Sequence, residues 1–164
     1  LFLILVPRHQ ERGKEVGEVL AKQAVNFIFR NQISDNIAPM DFANLECLLV
    51  NTTGELKYFY EKATLVFVGK SLTARGGQSP VEPAALAKPI IFGPHMGNFE
   101  EITATFLSNK AAIQVADEYE LEEAFELLIK DQSKRDALGK AAQKVVRENE
   151  GAIEQTVSMI LTAI

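Results

Sequence analysis

The stretch from Thr64 to Glu101, TLVFVGKSLTARGGQSPVEPAALAKPIIFGPHMGNFEE, decides the fold. Its two apolar runs, TLVFVG and PIIFGP, are apolar on consecutive positions instead of alternating. That is the pattern of strands covered on both faces, as in a parallel sheet packed between helices. Between them lie paired glycines and then Ser79, with Pro80 and Glu82 at the spacings of a helix start: a capping hydroxyl, a proline at the first helical position, and a carboxylate to close a capping box. After the second run, Asn98 stands as an N-cap with Glu101 beyond it.

The same grammar extends outward in both directions. The runs LFLILVP, NFIFR, ECLLVN and AAIQVAD supply further strands. Between them, Val16, Val19 and Leu20 share one helical face, as do Leu56, Phe59 and Tyr60. Thr52 and Glu55 repeat the capping-box spacing. Strand and helix alternate until Ala116, after which the pattern is helical, so the fold class is α/β, a Rossmann-like parallel sheet with flanking helices. Every helix start named here follows a strand end, which gathers them at one sheet edge, the edge where open α/β folds bind ligands. SDNIAPMDFAN is the one irregular insert. In the tail, Ile153, Val157, Ile160, Leu161 and Ile164 form an apolar stripe expected to be exposed. The chain opens on a strand without a starting Met and reads as a piece of something longer.

Size and composition narrow the function. The chain has 164 residues, 47% of them hydrophobic, and a net charge of −5. That is enough for a domain with a core and is the wrong sign for a nucleic-acid partner. The single cysteine, Cys47, lies in an apolar run and reads as a buried, inert thiol; no disulfide framework is possible. No run is long enough to span a bilayer. Two histidines, His9 and His95, without matched acidic or thiol partners predict no metal site. The run DEYELEEAFE reads as a solvated helix face.

Three constellations carry possible chemistry. Gly69 and Ser71, then Gly76 and Gly77, flank a loop leading to the helix at Pro80. Glycines there let backbone amides approach a phosphate, or they serve a connection that needs positive φ; the pattern leaves both open. Glu82 either closes a cap or accepts two hydrogen bonds from the vicinal hydroxyls of a ribose, and pattern alone favours the cap. Arg8 and His9, directly after the first strand, offer a guanidinium to a phosphate or a base carbonyl, or to solvent.

Taken together, LVPRHQER, GEL, FVGKSL, GGQSPVEPAA, FGPHMGNF and VVRENEGA resemble the C-terminal half of bacterial 3-deoxy-D-manno-octulosonic acid (Kdo) transferases, in order and over nearly the whole chain. The resemblance implies the C-terminal half of a B-type (GT-B) glycosyltransferase. Residues 1–164 would be its CMP-Kdo binding domain, with C-terminal helices from about residue 118 packing on it and towards an N-terminal domain. It implies transfer of Kdo from CMP-Kdo to a lipid A precursor in lipopolysaccharide synthesis, at the cytoplasmic face of the inner membrane. Membrane association would be peripheral, with no metal or other cofactor and no nucleic acid. The catalytic base would lie in the N-terminal domain, so no catalytic residue is expected in this chain.

By the same resemblance, Pro7, Arg8, His9, Gly54, Glu55, Gly69, Ser71, Gly76, Gly77, Ser79, Glu82 and Asn98 are donor contacts, with Glu82 the ribose ligand. The chain departs from the family pattern at Asn51 (usually Asp), Lys70 (the middle glycine of Gly-Gly-Ser), Gln78 and Ser79 (His-Asn). The other readings are a GT-B transferase or epimerase using UDP- or GDP-sugars, and a non-catalytic Rossmann-like interaction module.

Overall fold

A computed structural model describes residues 1–9, 11–33, 44–73 and 76–162, with side chains as far as residue 149. The irregular insert, Asn44 apart, and the five apolar side chains of the tail lie outside the described residues. The chain divides into two compact units, Leu1–Phe59 and Tyr60–Ile164.

The first unit holds β1 (Leu3–Leu5), α1 (Arg12–Lys22), β2 (Phe27–Phe29) and β3 (Cys47–Leu49). Its sheet is parallel, in the order β1-β3-β2, with Leu48 in register with Ile4 on one side and Ile28 on the other. The central strand β3 is buried at every residue, and the continuous apolar run explains why. Cys47 and Leu49 face one cluster with Leu20, Phe27 and Phe29. Leu48 and Val50 face the other with Ile28, Ile4 and Phe59. Alternate side chains of one strand thus feed two cores. Cys47 is fully buried, and that burial raises its thiol pKa.

Helix α1 corrects one expectation. Its buried stripe is Gly13, Gly17 and Leu20 with Val16 half-buried, whereas Val19 is 55% exposed. The i, i+3, i+4, i+7 stripe runs through two glycines, because a Cβ on Gly17 would stand 3.0 Å from the Phe29 ring and 3.2 Å from that of Phe27. The volume of the phenylalanines is matched by absent side chains on the helix.

α2 (Leu56–Lys62) joins the two units in sequence, and its expected apolar face, Leu56, Phe59 and Tyr60, is only half-buried. The second unit holds β4 (Val66–Val68), α3 (Val81–Ala85), β5 (Ile90–Phe92), α4 (Glu100–Ser108), β6 (Ile113–Gln114), α5 (Glu118–Lys130) and α6 (Gln132–Thr162). Its sheet is again parallel, in the order β4-β5-β6, with β5 central and wholly buried. Ile90 and Phe92 join Val68, Phe106, Ala142 and Val145 on one face. Ile91 joins Val115, Leu128 and Leu138 on the other. All six apolar runs are therefore strands in parallel pairing, flanked by helices.

Asp117 caps α5, its carboxylate accepting from the backbone N–H groups of Tyr119 and Glu120, both at 3.0 Å. The acidic run lies along α5 with Glu118, Glu120, Glu122, Glu123 and Glu126 exposed, as its composition indicates. Helix α6 anchors α3. A Cβ on Gly139 would lie 2.0 Å from the Ala87 carbonyl oxygen, and Gln143 Nε2 donates to the Ala85 carbonyl at 2.9 Å. Only glycine permits that approach, and it fixes the short helix that carries Glu82.

Candidate functional site

In the second unit, three segments at the carboxyl ends of β4 and β5 are knitted together. Ser71, two residues beyond Gly69 in the turn after β4, is fully buried. Its hydroxyl donates to the Val68 carbonyl at 2.5 Å and accepts from the Gly93 N–H at 2.7 Å. Its carbonyl accepts from the His95 N–H at 2.8 Å, and the Gly77 N–H donates to the His95 carbonyl at 3.3 Å. The turn after β4, the Gly76–Gly77 segment and the turn after β5 therefore hold one another through backbone groups and one buried hydroxyl. Packing is as close: a Cβ on Gly93 would stand 2.5 Å from Leu72 Cα, and one on Gly77 would stand 2.4 Å from Met96 Sδ.

This arrangement sorts the expected contacts. The buried Ser71 hydroxyl has both its bonds inside the protein and positions the turns. Gly77 is likewise buried, while Gly76, at φ +108°, is half-buried and Gly69 is exposed. Ser79 and Pro80 are corrected by one position: α3 begins at Val81 with Pro80 at the cap and no side-chain cap, and the half-buried Ser79 hydroxyl, one residue before the cap, accepts from the Val81 N–H at 3.3 Å. Glu82 makes no return bond to close a capping box: its carboxylate is exposed and has no hydrogen-bond partner among the described residues. Its charge reaches Tyr60, whose phenol pKa is raised first by burial and then by Glu82.

Asn98 is a second correction. Gly97–Phe99 forms a single 3-10 turn that runs straight into α4, and Phe99 takes the cap position with no side-chain cap. The Asn98 side chain is exposed and makes no cap bond. Helix α3 spans only five residues, so it adds little dipole to the glycine segment.

In the first unit, Pro7, Arg8 and His9 lie between β1 and α1, with Pro7 half-buried and the other two exposed. The Arg8 guanidinium has no partner among the described residues. Gly54 adopts φ +81° and is exposed.

Glu55 departs from the capping-box expectation. The Thr52 hydroxyl donates to its Oε2, and Arg30 donates to its Oε1 from Nε at 3.1 Å and from Nη2 at 2.7 Å. Arg30 also donates from Nη1 to the Ile33 carbonyl at 3.2 Å. The Thr52 hydroxyl and then Arg30, working against partial burial, lower the Glu55 pKa. Both carboxylate oxygens are occupied, so Glu55 fixes the turn after β3 to the end of β2. Arg30 was invisible to motif reading; the only signal was an arginine closing the run NFIFR.

Beside this pair, at the carboxyl ends of β2 and β3, an open hollow of about 410 Å³ is lined by Glu11, Gly13, Lys14, Phe29, Asn31, Gln32 and Asn51. Asn51 Oδ1 accepts from the Asn31 N–H at 3.1 Å. The oxygen an aspartate would offer there is present in neutral form. Among the described residues, no three His, Cys, Asp or Glu side chains converge as metal ligands. No helix among them is long and apolar enough to cross a membrane.

Comparison with known proteins agrees with the motifs. The chain is 36% identical over 161 residues to the 3-deoxy-D-manno-octulosonic acid transferase of Haemophilus influenzae, covering 98% of this chain and 36% of that protein. It is 29% identical over 160 residues to the enzyme of the same name from Bordetella pertussis, covering 97% and 36%. The chain thus spans about a third of the length of these curated relatives. Its fold matches the crystal structure of the C-terminal CMP-Kdo binding domain of WaaA from Acinetobacter baumannii, with a TM-score of 0.80 and 28% identity over 89% of this chain and 74% of that one. Parallel sheets flanked by helices, turns knitted at the strand ends, and a match of residues 43–145 to the family model of glycosyl transferases group 1 lead to one assignment: the chain belongs to that glycosyl transferase family, in the branch that resembles the C-terminal part of Kdo transferases.

Proposed function

We propose that this chain is the donor-binding part of a Kdo transferase and that its second unit grips CMP-Kdo. The observation that carries the reading is Glu82. It sits in the first turn of α3, a few residues beyond the Gly76–Gly77 segment, with its carboxylate open and unbonded among the described residues. An ionised carboxylate left free at the carboxyl edge of a parallel sheet suits the paired hydroxyls of a ribose, each of which donates to one oxygen. Gly69, Gly76 and the exposed Asn98 side chain line the approach to the nucleotide in this reading. In the first unit, the exposed Arg8 and His9 side chains offer a cation and an imidazole to an anionic ligand. Ser71, Gly77, Ser79, Gly54 and Glu55 hold the backbone in place.

The chemistry is displacement at the anomeric carbon of Kdo. The bond from that carbon to the phosphate oxygen breaks as the bond from an acceptor hydroxyl oxygen forms, CMP departs with the electron pair, and the acceptor proton passes to a base outside this chain. The share of these residues is to hold the nucleotide and to place positive charge near the departing phosphate. The reaction needs no metal in this reading, its acceptor is a lipid A precursor, and the enzyme works as a peripheral protein at the cytoplasmic face of the inner membrane.

Calorimetric titration with CMP, UMP and GMP, with and without EDTA, tests the donor. CMP is expected to bind preferentially and equally well with the chelator present. Glu82→Ala should weaken CMP binding by roughly 2–4 kcal/mol, the loss of two hydrogen bonds to a charged group. Equal binding of CMP by Glu82→Ala and the parent chain refutes the ribose role. Preference for UMP or GMP refutes the CMP donor.

A further inference from the structure

Four non-glycine residues among those described adopt positive φ: Ala24, Lys70, Ala87 and Lys110. Three of them stand two residues beyond the ends of α1, α3 and α4, where a left-handed residue closes a helix. The backbone bonds of such closures are present: Val25 N–H to Leu20 O at 3.0 Å, Lys88 N–H to Pro83 O at 3.0 Å and Ala111 N–H to Phe106 O at 2.8 Å. Lys70, at φ +69°, has no such cause. It follows strand β4 in the turn that Ser71 staples, where glycine would be relaxed and lysine is strained. Strain held at a ligand-facing turn is a reason to look for function.

The side chain gives that reason content. Lys70 is exposed and has neither an ion pair nor a hydrogen bond among the described residues. Yet its ammonium is folded back over the glycine segment: Nζ would lie 3.4 Å, and Cε 3.9 Å, from a Cβ on Gly76. Gly76 is half-buried at φ +108°, and the ammonium lies at van der Waals distance from where its side chain would begin. A cation thus lies beside a bare backbone segment, in the turn after β4, without an internal anion among the described residues.

We propose that Lys70 is a binding residue for the donor's negative charge, its ammonium taking an anionic oxygen of the nucleotide-sugar, either the phosphate or the sugar carboxylate. The proposal rests on the donor reading above and adds a contact that a glycine at this position cannot make. An ammonium with three donors and a flexible stem suits either oxygen.

The test uses Lys70→Gly and Lys70→Arg in the whole chain, titrated with cytidine, CMP and CMP-Kdo. Lys70→Gly removes the charge and relaxes the backbone, so its melting temperature should equal or exceed that of the parent, which separates binding from folding. The expected result is about a tenfold loss of CMP-Kdo affinity in Lys70→Gly, the size of one charge-assisted hydrogen bond. Cytidine binding should be unchanged, Lys70→Arg should be largely spared, and the difference should shrink with added salt. An equal loss for CMP assigns the contact to the phosphate; a loss confined to CMP-Kdo assigns it to the sugar carboxylate. Affinities of Lys70→Gly within twofold of the parent for both anionic ligands overturn the Lys70 proposal while leaving the donor reading intact. A parent chain that binds none of the three ligands overturns both.

Discussion

Replacing Gly93 with alanine tests whether the knitted turns hold the second unit together. The new methyl would meet Leu72 Cα at 2.5 Å, the Ser71 carbonyl oxygen at 2.5 Å and the Leu72 nitrogen at 2.6 Å, all of them backbone. No rotamer change relieves such a contact, so the turn after β4 must retreat by about 1 Å from the end of β5. Overpacking of this kind costs about 1–3 kcal/mol. The retreat also stretches the buried bond from the Gly93 N–H to Ser71 Oγ, now 2.7 Å, which adds about 1 kcal/mol. The total of roughly 2–4 kcal/mol corresponds to a melting temperature lowered by about 5–15 °C for a chain of this size. Gly69 and Gly97 are internal controls, because among the described residues beyond their chain neighbours neither has an atom within 4 Å of its Cβ position, and neither has positive φ. Alanine there should shift the melting temperature by no more than about 2 °C. Thermal denaturation followed by circular dichroism reads all three. A Gly93→Ala chain melting within about 1 °C of the parent would refute the stapled-turn account.

Two further outcomes follow from the first unit. The lowered Glu55 pKa means that its ionised form is favoured by the fold, so its contribution to stability is present above its ordinary value of 4.5 and is lost as pH falls through the lower folded value. Melting curves from pH 7 to pH 3 should show Glu55→Gln less stable than the parent at neutral pH and converging with it in acid; a gap that stays constant would remove the pair from the acid response. On α1, Leu20→Ala should cost about 2–5 kcal/mol and Val19→Ser no more than about 0.5 kcal/mol, although both residues belong to the apolar pattern. Urea denaturation midpoints distinguish them, and equal costs would contradict the buried glycine stripe.

The strands were legible because burial on both faces leaves a direct trace in sequence. Ile90, Ile91 and Phe92 are all apolar since the first and third face one core and the second faces another. The helix faces were less legible. Hydrophobic periodicity put Val19 inside, but the space under α1 is filled by Phe27 and Phe29 from β2, and the helix answers with Gly13 and Gly17. A glycine carries no hydropathy signal, so the true stripe was hidden. Arg30 illustrates a different limit. Its partner Glu55 lies 25 residues away, and nothing local distinguishes a strand-end arginine that will meet a carboxylate from one that will meet water.

Motif residues also divide by whether their polar groups are already satisfied, a property that spacing does not reveal. Ser71 and Glu82 are both quoted by the same family motifs, eleven positions apart. The Ser71 hydroxyl gives and receives a hydrogen bond inside the fold and has no exposed surface. Using it for a ligand would leave the Gly93 N–H buried and unpaired, a cost of about 1–3 kcal/mol that a single ligand bond does not offset. Glu82 pays no such penalty, since its carboxylate leaves only water. Glu55 falls with Ser71, its oxygens held by Thr52 and Arg30, while Arg8 and Lys70 fall with Glu82. The rule that follows is physical: in a turn built from motif residues, the groups with internal partners set the geometry, and those without them are available for the ligand. Among the motif residues of the second unit it leaves one free carboxylate, Glu82, and one free ammonium, Lys70, and these are the two groups whose substitution the proposed donor site must feel.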